Sequence, residues 1–317
     1  MAQEWRDAFV ALGGKVGFTV NPLLTYPATG ANGADLPPTG IVDGQPVALG
    51  EVLLGSTLAT FLTEYSATAP LDAYCKRKED FRAASMPGVE KHMEDTALSA
   101  DYREVARRCG ILAQALEGAD ALDVRFSTGH TCSFDLRFRR PEVDDGALPR
   151  FKVGERVINL PSGETYIVPY EGERPGTPSL TAGVLPVRLG GELALLRVGE
   201  NRVVDVEGAG PEAGRLRAGF AVDPARCNVA EVAFGCNDRA EVTGNVLEDE
   251  KAGFHWAFGR SDHLGGTVGV AAFSRREHVV HQDIVYARGN PIQVAEAVVR
   301  RGGLATTIIR SGEYLVF

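Results

Sequence analysis

The residues best suited to chemistry in this chain are four carboxylates and two imidazoles in its second half. They are Glu164, Glu231, Glu250, His255, His281 and Asp283. Carboxylate oxygens and imidazole nitrogens are common ligands of divalent metal ions, and the set contains no thiolate. Burying a charge costs free energy unless the charge is paired or bound to metal. Because these residues lie in the most apolar part of the chain, we predict that they hold one or two divalent cations.

The tripeptide HQD supplies two of these residues. It lies inside VVHQDIVY, whose β-branched and apolar residues are typical of a strand. Alternate side chains of a strand point to the same face, so His281 and Asp283 are expected to project together. They would then offer one nitrogen and one oxygen to the same ion. The alternative is a core histidine that is hydrogen-bonded to a nearby acid.

The other four residues come from three separate segments. EDEKAGFH places Glu250 and His255 five residues apart across a turn that contains Gly253. Glu231 lies in the apolar segment NVAEVAFG, where a charged glutamate needs Lys, Arg or a metal as its partner. Glu164 follows the turn LPSG and leads into the apolar segment TYIVP. The alternatives are a solvated charge for Glu250, a packed neutral imidazole for His255 and an exposed strand-start acid for Glu164.

The composition is that of a globular protein. The chain has 317 residues, 44% of them hydrophobic and 24% charged, and its formal net charge is -9. That charge gives no electrostatic reason to bind nucleic acid or an anionic membrane. No apolar run reaches the roughly 18 residues of a membrane helix. The five scattered cysteines fit free thiols in a reducing cytosol, so we expect a cytoplasmic protein.

The patterning of the chain predicts an α+β fold in two domains. Residues 1–145 read as an abbreviated N-terminal α/β domain, in which 80–118 has helical spacing. Residues 146–317 are dominated by short strands and turns and read as a β-rich metal-binding domain, with a helix expected at about 291–301.

Taken in order, the four motif segments resemble the thermophilic aminopeptidase family of dinuclear metallopeptidases, the aminopeptidase T and AmpS type. NLPSGETYIVP, AEVAFGCN, EDEKAGFHWAFGRS and HQD are similar to the segments that carry this family's ligands. The resemblance covers roughly residues 155–290. It implies that all six acids and histidines bind metal, with one glutamate bridging two ions, and that the protein is a homodimer.

The resemblance is weaker outside the ligands. The N-terminal region is shorter than the family's, and GRSDHLGG places Asp262 where the family has a tyrosine. A related enzyme, the 2,5-dihydroxypyridine dioxygenase, shares the fold and holds one iron with two histidines and one aspartate. That enzyme has a histidine at the position of Glu231 and lacks the acid at Glu164. Since this chain keeps both acids, it resembles the dinuclear peptidases more.

The leading hypothesis is a metal-dependent, aminopeptidase-like hydrolase that acts on a peptide or amide bond of a substrate with a free amine. The expected cofactors are one or two divalent ions of zinc, cobalt, manganese or iron. Glu164 is the candidate general base. Lys251, next to Glu250, either stabilises the developing oxyanion or is a surface charge.

Two other hypotheses stay open. A mononuclear non-heme iron dioxygenase would use His281, Asp283 and either His255 or Glu231. A non-catalytic peptide-binding protein would keep the cleft of a metallopeptidase scaffold and lose turnover. In each case the partner is a peptide or small molecule, without nucleic acid or membrane.

Overall fold

The computed structural model describes residues 1–30, 32–151, 154 and 156–317. The described helices are α1 (Ala2–Val16), α2 (Leu49–Gly55), α3 (Thr68–Arg77), α4 (Tyr102–Leu116), α5 (Pro211–Ala221) and α6 (Val246–Asp249). The described strands are β1 (Leu24–Thr25), β2 (Thr39–Val42), β3 (Gln45–Ala48), β4 (Leu58–Thr63), β5 (Arg82–Pro87), β6 (Ala121–Phe126), β7 (Thr131–Asp135), β8 (Glu142–Asp144), β9 (Val157–Asn159), β10 (Glu164–Ile167), β11 (Ala182–Leu189), β12 (Glu192–Gly199), β13 (Arg202–Glu207), β14 (Val229–Gly235), β15 (Phe254–Gly259), β16 (His281–Val285), β17 (Val294–Arg301), β18 (Leu304–Arg310) and β19 (Glu313–Tyr314). Short 3-10 turns lie at Lys91–Glu94, Ala97–Ser99, Pro224–Cys227, Glu250–Ala252, Asp262–Leu264, Val270–Ala272 and Arg276–His278. This mixture confirms the predicted α+β class.

The chain divides into two compact units whose boundaries differ from a single division after residue 145. The first unit comprises 1–99 and 146–162, and the second comprises 100–145 and 163–317. Strand pairing explains the exchange. β9 lies beside β5 in the first unit, whereas β6 and β7 belong to a large sheet of the second unit.

The first unit contains a parallel sheet with strand order β4-β5-β9 and a separate antiparallel sheet β1-β2-β3. Helix α3 connects β4 to β5, as parallel pairing requires a crossover between the strands. The core of this unit is apolar and includes Leu49, Leu53, Phe61, Leu71, Phe81 and Val157.

The second unit contains two antiparallel sheets. One has eight strands in the order β13-β12-β11-β7-β6-β17-β18-β19, and the other has five in the order β16-β15-β14-β10-β8. Aromatic side chains join them in one core, where the Phe254 and Phe126 rings lie 6.4 Å apart. Trp256 Nε1 donates to the Tyr286 hydroxyl, which in turn donates to the Pro186 carbonyl, each over 3.0 Å.

The register of the five-stranded sheet separates apolar from polar side chains. Val232 lies opposite Trp256, and these residues point into the core. Glu231 lies opposite Ala257, which lies opposite Asp283 on the next strand. Directly opposed residues of an antiparallel sheet share a face, and neighbours along a strand alternate between faces. The acids and histidines therefore gather on the face turned away from the aromatic core.

One helix prediction is wrong, and another is confirmed only in part. Residues 294–301 form strand β17 rather than a helix, because β17 pairs with both β6 and β18. The segment 80–118 is helical only at α4 and the two short turns before it, and it opens with strand β5. In both places alanine-rich sequence mimics a helix, while pairing with neighbouring strands decides the conformation.

Two further observations concern the chain as a whole. All five cysteines are free thiols, as the sequence predicts. Among the described residues, no helix has both the length and the apolar character needed to cross a membrane.

Candidate metal centre

Four neighbouring strands and one turn position the six predicted residues. β10 carries Glu164, β14 carries Glu231, β15 carries His255, and β16 carries both His281 and Asp283. The sixth residue, Glu250, opens the 3-10 turn that follows α6.

A glycine allows the Glu250 turn to approach the sheet. Gly235 lies opposite Glu164 in the register of β10 and β14. A side chain at Gly235 would collide with the backbone of residues 250–253, since an added Cβ would lie 2.7 Å from Gly253 N. The missing side chain thus allows Glu250 to lie over the same face of the sheet as the other five predicted residues.

The structure brings all six predicted residues together. They form three overlapping groups, in each of which one oxygen or nitrogen per residue lies within 4.8 Å of the others. The groups are Glu164, Glu231 and His255; Glu231, His281 and Asp283; and Glu250, His255 and Asp283. Every group consists of hard oxygen ligands and one imidazole, which suits divalent zinc, manganese or iron.

Both histidines are oriented as metal-binding imidazoles usually are. His281 Nδ1 lies 2.7 Å from the Arg260 carbonyl, and His255 Nδ1 lies 3.2 Å from the Gly253 carbonyl. Because a carbonyl can only accept, each Nδ1 is the donor. The Nε2 atoms are left to face the carboxylates. Metal-bound histidines commonly donate their second nitrogen to a backbone carbonyl in this way.

Glu231 lies between the two histidines. Its Oε2 is 3.1 Å from His281 Nε2, and its Oε1 is 3.8 Å from His255 Nε2. The two oxygens of one carboxylate therefore face two different imidazoles. This arrangement places Glu231 in two of the three ligand groups.

The sequence left open whether Lys251 lies in the centre or is a surface charge. Its side chain is fully buried, and its ammonium lies 2.5 Å from Glu164 Oε1 and 2.7 Å from Glu250 Oε1. Asp144 Oδ2, which the sequence did not single out, lies 3.9 Å from the same nitrogen. The surface-charge alternative for Lys251 is wrong, because the ammonium is held among buried carboxylates.

Burial and the charge of the buried Lys251 ammonium shift the pKa values of Glu164 and Glu250 in opposite directions. Burial opposes ionisation of Glu164, but the charge of Lys251 outweighs it and lowers the pKa to about 2. Burial raises the pKa of Glu250 to about 8 against the same charge. Burial lowers the pKa of His255, but contact with Glu164 raises it overall to about 9. One ammonium does not balance these carboxylates, so the centre attracts further positive charge from protons or a metal cation.

One carboxylate oxygen of the centre lacks a well-placed hydrogen-bond donor. Glu164 Oε2 is buried and has no hydrogen-bond donor among the described residues. His255 Nε2 is 3.3 Å away, at ion-pair distance but outside hydrogen-bond geometry. A buried carboxylate oxygen without a donor is costly, and coordination to a metal would remove that cost.

Residues near His281 were not identified from the sequence as part of the centre. The ring of His263 lies 5.0 Å from that of His281, and the two rings are nearly perpendicular. Asp262 pairs with Arg260, whose Nε lies 2.5 Å from Asp262 Oδ1. No spacing in GRSDHLGG indicates these contacts, because they depend on the turn at Asp262–Leu264.

Comparisons with known proteins find similarity in structure alone. No family model matches the sequence, and no curated protein matches it. Among solved structures, the 2,5-dihydroxypyridine dioxygenase from Pseudomonas putida KT2440 superposes with a TM-score of 0.60 at 17% identity, covering 84% of this chain and 74% of its own. Wild-type AmpT from Thermus thermophilus superposes with a TM-score of 0.53 at 16% identity, covering 84% of this chain and 80% of its own. These similarities show a shared fold.

Proposed function

We propose that this protein is a metal-dependent hydrolase that cleaves peptide or amide bonds by aminopeptidase-like chemistry. The position of Glu231 carries the proposal, because its two oxygens face His255 and His281 separately. A carboxylate in this position can bind two cations, one through each oxygen. Two-cation centres are common in hydrolases, including aminopeptidases.

The ligand groups indicate which residues would hold each ion. Glu231, His281 and Asp283 would hold one cation. The second would lie toward His255, within reach of Glu164 or Glu250. When bound, such ions lower the pKa of a water molecule and polarise the carbonyl that it attacks.

The role of Glu164 as general base stays a prediction. Its Oε2 has no hydrogen-bond donor among the described residues, which leaves this oxygen for a proton or a cation. The pKa of about 2 that Lys251 imposes makes Glu164 a weak base in the metal-free site. Glu164→Gln separates the two roles. A general base predicts lost turnover with metal retained, whereas a ligand predicts that the metal is lost as well.

The structural comparison supports the proposal. AmpT is an aminopeptidase and shares the fold. The direct experiment is to incubate the purified protein with amino-acid p-nitroanilides in the presence of zinc, cobalt, manganese or magnesium. We expect release of p-nitroaniline, and we expect chelation to abolish it. No turnover with any of the four metals across a panel of side chains would refute the proposal.

A mononuclear iron dioxygenase is the second candidate. The superposition with the dihydroxypyridine dioxygenase, at a TM-score of 0.60, favours it. The structure brings together Glu231, His281 and Asp283, which is one of the two ligand sets considered for a single iron, whereas none of the three groups among the described residues contains both His255 and His281. Oxygen uptake with ferrous iron and 2,5-dihydroxypyridine tests this candidate. Consumption of oxygen without peptide hydrolysis would establish it in place of the hydrolase.

A further inference from the structure

A cleft of about 240 Å³ adjoins the candidate metal centre. We name it the Asp249 cleft, and its walls include Val187, Val246, Asp249, Asp283, Ile284 and Ile292. Asp283 belongs to both the cleft and the ligand groups. Asp249 immediately precedes Glu250, whose side chain belongs to the metal centre. A molecule in the cleft would therefore lie beside the metal ligands.

Asp249 is a buried acid without a cationic partner. It is 9% exposed, and its carboxylate accepts hydrogen bonds from the backbone nitrogens of Thr243 and Gly244. No Lys, Arg or His of the described residues lies within ion-pair distance of it. The buried Asp135, by contrast, pairs with Arg137. Since a buried carboxylate favours a cationic neighbour, the cleft suits a ligand that brings a positive charge.

The cleft runs along an open sheet edge. β16 is the outer strand of the five-stranded sheet, and its residues from Asp283 through Ile284 and Val285 line the cleft in succession, followed by Tyr286. A cleft bounded only by one face of a strand would meet alternate residues, so this one follows the backbone edge.

The hydrogen-bond phase of β16 leaves backbone groups directed at this edge. Tyr286 N donates to Phe254 O, and Arg260 N donates to Val280 O. These two bonds lie at the two ends of the pairing between β15 and β16. They therefore determine which residues of β16 direct their backbone groups toward β15 and which direct them away from it. In that alternation the N–H and C=O groups of Asp283 and Val285 point away from β15. An extended peptide could form hydrogen bonds to these groups as an added strand.

The size and walls of the cleft suit one amino-acid residue. Its volume lies below the several hundred Å³ of sites for drug-sized ligands. Val246 and Ile284 present apolar surface to it, and the buried Ile292 also lines it. The cleft thus combines an unpaired anion, a free strand edge and a small apolar wall.

We propose that the Asp249 cleft binds the amino-terminal residue of a peptide substrate. Asp249 pairs with the free ammonium, the edge of β16 bonds to the backbone, and the apolar wall holds a small or medium aliphatic side chain. Asp249 thereby selects peptides with an unblocked amino terminus. This inference rests on the proposed function and names the substrate class of the same centre.

The test compares binding of two tetrapeptides that differ only at the amino terminus. Both begin with leucine, carry a fluorophore at the carboxyl end, and have a ketomethylene group in place of the first amide so that they are not cleaved. One is free and one is N-acetylated. Fluorescence anisotropy with the protein as purified gives both affinities. We expect wild type to prefer the free peptide by roughly tenfold or more.

Three variants make the test specific. Asp249→Asn keeps the shape and an acceptor for Thr243 N and Gly244 N, and we expect it to reduce the preference to about threefold or less. Asp223→Asn is the matched control, because Asp223 is also a buried acid that accepts backbone N–H groups, and it lies outside the cleft. It should keep the preference. Val246→Trp, at a 51% exposed position, should weaken binding of both peptides by filling the cleft.

The outcomes separate this inference from the proposed function. An unchanged preference in Asp249→Asn, or no binding of either peptide to wild type, overturns the inference even if p-nitroanilides are hydrolysed. A preference that depends on Asp249 supports the inference even if hydrolysis is not found with any metal, and in that case only the proposed function fails.

Discussion

Lys251 Nζ lies 2.5 Å from Glu164 Oε1, and the lysine side chain is fully buried. The same nitrogen contacts Glu250 Oε1 at 2.7 Å. One ammonium thus fixes one oxygen of each glutamate and leaves the other oxygen of each for a further cation. The lysine is thereby a permanent countercharge of the centre. The protein therefore needs less additional positive charge at these acids in order to fold.

Removing this countercharge should destabilise the protein. In Lys251→Met, Glu164 and Glu250 lose their buried partner, and breaking a buried ion pair on one side typically costs about 3–5 kcal/mol. We expect a decrease of this size in the free energy of unfolding, measured with urea on chelator-treated protein. Arg215→Met is the control, since Arg215 is 73% exposed and should change stability by less than about 0.5 kcal/mol. A Lys251→Met protein as stable as wild type would contradict the account of the centre.

Adding one methyl group at Gly235 should disturb the ligands without touching any of them. The new carbon would lie 2.7 Å from Gly253 N and closer still to the backbone of Glu250 and Lys251. Gly235→Ala should therefore displace the 250–253 turn and lower both stability and metal affinity. Isothermal titration with zinc measures the affinity, and thermal unfolding measures the stability.

The control for this change is a glycine with space around it. Gly219 lies in α5, and an added Cβ there meets no atom within 4 Å. Gly219→Ala should raise stability by roughly 0.5–1 kcal/mol, because alanine favours the helix, and should leave zinc affinity unchanged. Equal zinc affinity in Gly235→Ala and Gly219→Ala would show that the turn does not position Glu250.

Asp223 should make stability depend on pH. Its carboxylate accepts hydrogen bonds from the Ser274 hydroxyl at 2.6 Å and the Ser274 and Ala225 nitrogens at 2.7 and 3.0 Å, and these bonds hold its pKa well below the ordinary value. A lowered folded-state pKa adds stability above the unfolded-state pKa of about 4, and that stability is lost as the pH falls toward the folded-state value. Asp223→Asn should therefore be less stable than wild type at pH 7, with a smaller difference at pH 3.

Urea unfolding of both proteins at pH 7, 5 and 3 measures this difference. Asp205→Asn serves as the control, because Asp205 is exposed and its removal should change stability little at any pH. A difference between wild type and Asp223→Asn that stays constant from pH 7 to pH 3 would show that the Ser274 bonds do not act through ionisation.

Neutralising Glu231 should weaken metal binding more than any single exposed acid. Glu231→Gln removes the charge shared by two ligand groups, so we expect metal affinity to fall roughly 10–100-fold or more. Zinc titration of chelator-treated protein measures the change. Glu313→Gln, at a 68% exposed side chain, should bind zinc like wild type. Equal affinities in the two variants would exclude Glu231 from the ligand set.

The sequence revealed the candidate site because its signals are local. HQD sits in a β-branched strand, so the alternation of side chains alone predicts that His281 and Asp283 share a face. The isolated acid at Glu231 in an apolar strand signals a buried charge that needs a partner. The structure places these residues and the other three candidates together, while their role as metal ligands stays a prediction.

What the sequence missed depends on contacts between distant segments. Nothing around Lys251 tells a buried lysine from an exposed one; its position follows from the turn that Gly235 admits over the sheet. Asp144 lies in an acidic run typical of a linker, yet β8 places it opposite Glu164. The segment 294–301 contains helix-favouring residues, but pairing on both sides makes it a strand. In each case tertiary pairing overrides local preference.

Metal content decides whether the six side chains surround bound cations. The protein should be chelated, supplied in turn with zinc, cobalt and manganese, desalted, and subjected to elemental analysis against its protein concentration. We expect two bound divalent ions per chain with at least one of these metals. A single ion would favour the mononuclear alternative over the two-cation centre, and no stoichiometric metal in any preparation would contradict the claim that these six side chains surround a cation.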